Sequence, residues 1–396
     1  MQNKRVSNLI YRVVLLDNLI LYAKNGSSQR IVFFMLTLDY HPTGRHFLQI
    51  PGPSPVPDRI LRAMSLPTID HRGPEFGALG LKVLADIQKI FKTRQPVMIY
   101  PASGTGAWEA ALVNTLSPGD HVLMYETGHF AALWQKLAAR VGLKIEVMCD
   151  PGAEVWRFGV RADLIEERLK ADTQHAIKAV CVVHNETSTG VTSNIAAVRK
   201  AIDAAKHPAL LLVDTISGLA SMDYRHDEWG VDVTISGSQK GLMCPAGLGI
   251  LGISQKAMKA SETATMRRAY FEFRDFKQTC ETGYFPYTPP TQILHGLRRA
   301  LDRINAEGLD NVLARHTRLA EGVRRAVAAW GLSPCAEHPS LASNTVTAIR
   351  VPEGVDARDV IRIGYERYNT SFGSGLSRLA GKVFRIGHIG DLNEGM

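Results

Sequence analysis

From residue 97 to residue 253 the chain largely repeats one pattern: a short, mostly apolar run, then a segment with apolar residues at helical spacing. The runs fall at 97–100, 121–125, 144–148, 177–183, 210–213, 232–236 and 248–253. Short, mostly apolar runs of this length, alternating with helices, belong to strands covered on both faces. The segments between them, including 108–115, 131–140, 164–170 and 195–205, supply the covering helices. The expected architecture is therefore α/β, a mostly parallel sheet between two helical layers. Beyond Tyr284 the rhythm changes to two long helical stretches, 291–306 and 309–329, and then strands at 346–351 and 383–386. That reads as a smaller α+β unit. The division is an N-terminal extension over 1–37, a large domain over 38–290 and a small C-terminal domain over 291–396. Pro51, Pro53 and Pro55 make the start of the large domain rigid and irregular, because proline suits neither helix interior nor central strand.

Charge and cysteine usage narrow the function classes. The net charge of +8 is dispersed, and signs alternate along stretches such as 163–170. A nucleic-acid binder concentrates its basic residues, so an enzyme handling small carboxylates is the simpler expectation. The five cysteines, Cys149, Cys181, Cys244, Cys280 and Cys335, show no paired ligand spacing. Reduced thiols in an intracellular, cytoplasmic setting are expected, with no metal site. The apolar stretch 9–21 is broken by Arg12 and Asp17 and falls short of the roughly 20 residues that span a bilayer, so no membrane partner is expected.

In an open parallel sheet, ligands bind beyond the carboxyl ends of the strands. The residues just past each run are therefore informative. After Tyr100 come Pro101-Ala102-Ser103-Gly104-Thr105-Gly106, small residues opening a helix, as a phosphate cradle requires. A plain strand-to-helix turn uses the same residues. Asp214 ends the run 210–213; it suits a turn or cap, or a carboxylate that keeps a pyridine nitrogen protonated. Lys240 comes after the run 232–236, among Gly237, Ser238, Gly241, Leu242 and Met243. Most lysines are surface residues, but one among small and apolar neighbours has a lowered pKa and can form an imine. His184 to Gly190, after the run 177–183, supplies polar groups for a ring hydroxyl or a phosphate, or a capping turn. Arg385, in the last predicted strand, presents a fork suited to a carboxylate, or a surface ion pair.

Together, Ser-Gly-Thr-Gly at 103–106, His-Asn-Glu-Thr-Ser-Thr-Gly at 184–190, Asp214, Gly-Ser-Gln-Lys ending at Lys240, Tyr-Phe-Pro-Tyr-Thr-Pro-Pro at 284–290 and Gly-Lys-Val-Phe-Arg-Ile-Gly-His at 381–388 resemble the class V aminotransferases, and within them the serine-preferring, glyoxylate-using group. The resemblance runs from about residue 38 to 394 and implies fold-type I pyridoxal-phosphate transferase architecture. It implies transfer of the amino group of serine to glyoxylate, giving glycine and hydroxypyruvate, with aspartate or alanine as alternative donors. It implies that Lys240 holds pyridoxal phosphate as an imine and shuttles a proton, and that Asp214 pairs with the ring nitrogen. Phe130 would stack on the ring and Thr187 contact its hydroxyl. Ser103, Gly104, Thr105 and Gln239 would bind the phosphate, joined by Thr288 from the partner in a homodimer. Arg385 would take the substrate carboxylate, with His71 and Arg72 lining the pocket. The sequence departs from that pattern at Thr215-Ile216-Ser217-Gly218, beside the expected ring position, and at Phe285, where alanine-preferring members carry tyrosine. The family also continues past the position of Glu394, which implies a tail beyond Met396. Two other readings remain at this point: a lyase of the cysteine desulfurase type, with Cys335 as the only late candidate for its reactive thiol, and an inactive cofactor-binding protein.

Overall fold

The computed structural model describes residues 44–151 and 155–396; the extension over 1–37 lies outside them. The first strand, β1 (Phe47–Gln49), precedes the seven strands of the main sheet. These are β2 (Val97–Pro101), β3 (His121–Tyr125), β4 (Lys144–Met148), β5 (Ile177–Val183), β6 (Leu210–Asp214), β7 (Val233–Gly237) and β8 (Leu248–Ile253), in the spatial order β2-β8-β7-β6-β5-β3-β4. All neighbours are parallel except β8, which is antiparallel to both β2 and β7. The exception has a local cause. A parallel return needs a crossover of a dozen or more residues, and only a tight loop without a helix joins β7 to β8. Ser238 closes that loop: its hydroxyl donates to Pro245 O at 2.6 Å and accepts from Leu248 N at 3.2 Å. Lys240 sits within it.

The helices are α1 (Asp58–Met64), α2 (Pro74–Phe91), α3 (Gly104–Thr115), α4 (His129–Arg140), α5 (Ala162–Ala171), α6 (Ile195–Ala204), α7 (Gln255–Thr263), α8 (Phe273–Thr282), α9 (Thr291–Glu307), α10 (Leu309–Ala329) and α11 (Ala357–Tyr368). Alternate strand residues serve opposite layers. Val97 and Ile99 pack with Phe76, Ile87 and Phe91 of α2, whereas Met98 and Tyr100 pack with Trp108 and Leu112 of α3 and Phe276 of α8. Each large apolar side chain buried this way contributes about 1.5–3 kcal/mol. Helix α2 begins five residues before the apolar periodicity does, because Pro74 occupies its first turn, where a fixed φ helps and no N–H is missed.

The smaller sheet contains β9 (Ser333–Pro334), β10 (Val346–Arg350), β11 (Thr370–Ser374) and β12 (Val383–Gly387). Its order is β1-β11-β12-β10-β9, so β1 belongs here although it precedes every strand of the main sheet. The chain then crosses from one sheet to the other in a few residues. Gly387 and Gly373 lie so close to Ile50 and Pro51 that neither position has space for a side chain. Shortly afterwards Ser54 N donates to Gln239 O at 2.9 Å, and the Ser54 hydroxyl donates to Lys240 O at 2.8 Å. The Pro51-Gly52-Pro53-Ser54 segment thus joins the small sheet to the Lys240 loop.

Candidate active site

The carboxyl ends of β2, β5, β6 and β7 present the groups expected from the sequence on one side of the main sheet. Asp214 is the last residue of β6 and is buried. One carboxylate oxygen accepts from Trp108 Nε1 at 2.9 Å and the other from Ile216 N at 2.7 Å. Burial drives its pKa up to about 7 against those two hydrogen bonds and the opposing Lys240 charge. Trp108, near the start of α3, is not singled out by the sequence; a single tryptophan in an apolar helix carries no sign of the carboxylate it serves.

Lys240 Nζ donates to Pro51 O at 2.7 Å. Burial, then the nearby Arg385 cation, lowers its pKa to about 8, with Asp214 pulling the other way. Gly52 explains the fit of the lysine. A Cβ at Gly52 would overlap Lys240 Cδ and Nζ, and the φ of +111° is one that residues with side chains rarely adopt. The proline-rich segment, which the sequence marks only as rigid, is thus the wall of the lysine site.

Ser103 caps α3, its hydroxyl accepting from Gly106 N at 3.4 Å, and is exposed, as is Thr105. Gly104 is buried beneath Ile216, whose Cδ1 occupies the space a side chain there would need. Ile216 is one of the residues at which the chain departs from the family pattern. A Cβ on Gly237 would lie 2.9 Å from Gln239 Oε1 and 3.6 Å from Gly104 N. Gln239 Oε1 is buried with no hydrogen-bond partner among the described residues. The start of α3 and the start of the Lys240 loop therefore converge on a small cradle that side chains would fill. Free helix-N-terminal N–H groups, two hydroxyls and an amide suit a phosphate. With a buried carboxylate to hold a ring-nitrogen proton and a lysine of lowered pKa, these residues fit pyridoxal phosphate.

Arg385 of β12 is buried; Nε donates to Ser374 O at 2.8 Å and Nη1 to Thr187 O at 3.0 Å. Burial lowers its pKa to about 10, offset by the Glu186 charge. Both bonds go to carbonyls rather than to a carboxylate, so its charge is available to an anionic ligand. The segment 184–190 is buried throughout. Within it His184 N donates to Asp214 O at 2.9 Å, and Asn185 Nδ2 bonds Ser217 Oγ at 2.8 Å and Thr345 Oγ1 at 2.9 Å. Phe130, in the first turn of α4, is half-buried, and its N–H donates to Glu186 Oε2 at 3.1 Å. Glu186 is a buried residue that sequence reading passes over within a motif it otherwise uses.

Three expected residues stand apart within this chain. Thr288 is exposed on the link between α8 and α9. His71 is half-buried and Arg72 exposed in the turn between α1 and α2, where Arg72 N donates to Asp70 Oδ1 at 2.9 Å. Cys335 is buried in the small domain beside Ala348 and Val383, which does not suit a mobile thiol. A separate surface groove of about 810 Å³ at Trp156, Arg378 and Lys382 contains none of the expected cofactor or substrate groups, so chemistry rather than volume identifies the site.

Comparison with known proteins identifies the family. The family model described as "Aminotransferase class-V" matches residues 47–375. The chain is 54% identical to serine–glyoxylate aminotransferase of Methylorubrum extorquens, over 89% of this chain and 88% of that one. It is 50% identical to L-aspartate–glyoxylate aminotransferase of Paracoccus denitrificans, over 89% of each. Among solved structures, alanine–glyoxylate aminotransferase from Nostoc sp. superposes with a TM-score of 0.81 at 30% identity, covering 90% of this chain and 93% of that one.

Proposed function

The chain belongs to the class-V aminotransferases, which are pyridoxal-phosphate enzymes, and on that premise we propose that it transfers the amino group of serine to glyoxylate, yielding hydroxypyruvate and glycine. The observation that carries the reading is Arg385. A buried guanidinium whose bonds among the described residues go to two carbonyl acceptors, close enough to depress the Lys240 pKa, suits one carboxylate site used by both donor and acceptor. Pyridoxal phosphate, when bound, supplies the carbon that carries the amino group and a ring that accommodates the electron pair left by proton removal.

The protein's residues then have distinct tasks. Lys240 Nζ would attach the cofactor and, once free, move a proton from the donor Cα; burial, which lowers its pKa, favours the neutral amine that can accept that proton. Asp214, oriented by Trp108 and Ile216, keeps the ring nitrogen protonated. Ser103, Gly104, Thr105 and Gln239 hold the phosphate, Phe130 covers the ring face and Thr187 meets the ring hydroxyl. His71 and Arg72 border the donor side chain. Thr288 reaches the phosphate of the other subunit in a homodimer. The stacked pair Tyr270 and Tyr287, 5.2 Å between centroids, and Tyr284 lie exposed around that link, as an interface would require.

The likeness to the Paracoccus enzyme favours one second reading, with aspartate as donor and Arg72 meeting its extra carboxylate. A panel of serine, alanine and aspartate against glyoxylate decides between them. Serine should give the highest kcat/KM, with hydroxypyruvate and glycine formed one to one. Preferential turnover of aspartate would replace the first reading with the second, and no glycine from any donor would overturn both.

A further inference from the structure

Glu186 is fully buried, at 0% exposure, and every hydrogen bond it makes is to a neutral donor. Oε1 accepts from Ser188 N at 3.0 Å and from the Ser188 hydroxyl at 2.7 Å. Oε2 accepts from Phe130 N and Ala131 N, each at 3.1 Å. The Ser188 hydroxyl in turn accepts from His129 N at 3.0 Å. The first three N–H groups of α4, left without partners inside the helix, are thus all satisfied by this pair, and the helix dipole favours the carboxylate charge. Gly128 leaves the necessary space: a Cβ there would strike Glu186 Cγ and Cδ and the Ser188 hydroxyl. Between Glu186 and Ser188 lies Thr187, whose carbonyl accepts from Arg385 Nη1 at 3.0 Å.

We propose that Glu186 is a positioning residue, its carboxylate fixing in one geometry both the helix end that carries Phe130 and the turn that holds Arg385. The inference rests on the roles assigned to Phe130 and Arg385 under the proposed function. Among the described residues four donors, three of them backbone N–H groups, converge on this side chain, so a carboxylate satisfies the site completely. Glutamine has the same shape, but its NH2 would face N–H donors and leave buried groups unpaired. Alignment of the ring cover with the carboxylate clamp therefore depends on two acceptor oxygens and not only on size. Glu186 reaches neither substrate nor reacting atoms in this scheme; it acts through its neighbours.

The test uses the pyridoxal-phosphate-loaded enzyme with Glu186→Gln and Ser188→Ala, and reads two quantities unrelated to turnover. One is the visible circular dichroism of the bound cofactor, which reports how asymmetrically the ring is held. The other is the Kd of glycolate, an unreactive carboxylate of glyoxylate's size, read from the visible spectrum. Glu186→Gln should keep the visible absorption, because Lys240 is untouched. It should lose at least about half of the circular dichroism and weaken glycolate about tenfold, as expected for two buried donors left unpaired. Ser188→Ala should shift both in the same direction, glycolate by about threefold, since one hydroxyl is lost and the carboxylate remains. Wild-type values of both quantities in Glu186→Gln would overturn the proposal; if that variant does not fold, wild-type values in Ser188→Ala would do so. A wild-type protein that takes up no visible cofactor would overturn the proposed function, and with it this inference.

Discussion

Asp214 makes a pH-dependent prediction that needs neither substrate nor cofactor. Its pKa in the folded, cofactor-free protein is about 7, against 3.8 in an ordinary exposed state, and burial is the main cause. Between those values the folded chain binds more protons than the unfolded one, so stability falls as pH rises and levels off above about 7. Each unit is worth about 1.36 kcal/mol, and because the titration flattens as pH approaches the folded pKa, the loss from this one group between pH 5 and pH 7 is about 2 kcal/mol. Asp214→Asn removes the titration. It also places an NH2 against either Trp108 Nε1 or Ile216 N, a pH-independent cost of about 1–3 kcal/mol. The variant should therefore be less stable than wild type at pH 5, and the gap should close or reverse by pH 8. Urea midpoints of the cofactor-free proteins, followed by tryptophan fluorescence at half-unit steps from pH 5 to pH 8, measure the difference directly. A wild-type-minus-variant difference constant to within about 0.5 kcal/mol across that range would refute the reasoning.

The site makes three further outcomes testable. Lys240→Ala should lose covalent attachment, so that borohydride traps pyridoxal phosphate on Lys240 in wild type and on nothing in the variant; peptide mapping of a cofactor adduct to another lysine would count against the assignment. Gly52→Ala places a methyl group in the space of the Lys240 side chain at a φ of +111°, and should weaken cofactor uptake about tenfold or more, which a wild-type titration curve would disprove. Arg385→Ala should cost serine and glyoxylate alike about 2–5 kcal/mol of binding while leaving the cofactor's colour, and a variant with an unchanged glyoxylate KM would remove Arg385 from the substrate site.

The sequence disclosed those parts of this architecture whose causes are local. Strands buried on both faces, such as β5, β6 and β8, read as nearly continuous apolar runs because both faces must be apolar, whereas the edge strand β4 is partly exposed and alternates Lys144 and Glu146 with Ile145 and Val147. Asp214 and Lys240 were legible because ligands gather past strand ends and because small residues flank the lysine. Sequence reading passes over helix α8 although its buried Phe273, Phe276 and Thr279 recur at helical spacing: Arg274, Asp275, Lys277 and Gln278 separate them, and so polar a segment contains no apolar run to mark it. The acceptor of the lysine is a backbone carbonyl 189 residues earlier in the chain, and a carbonyl has no residue type to read. Trp108 and Glu186 likewise acquire their roles from partners 106 and 56 residues away, a distance over which spacing carries no information.

The position of β1 in the smaller sheet has a consequence for how the molecule is made. His46, beside that strand, bonds Asn369, 323 residues later, and β1 pairs with β11 alone. At synthesis rates of roughly 5–20 residues per second, the first strand leaves the ribosome about 16–65 s before its partner exists. Meanwhile the main sheet, complete by Ile253, can assemble around the Lys240 loop and take hold of Ser54. β1 is left as a free edge tethered a few residues from a finished domain, and at three residues it is too short to recruit a strand from a neighbouring nascent chain. Closure of the smaller sheet is thus a late event that joins segments more than 300 residues apart, and it brings Arg385 to the lysine only after β12 has been made.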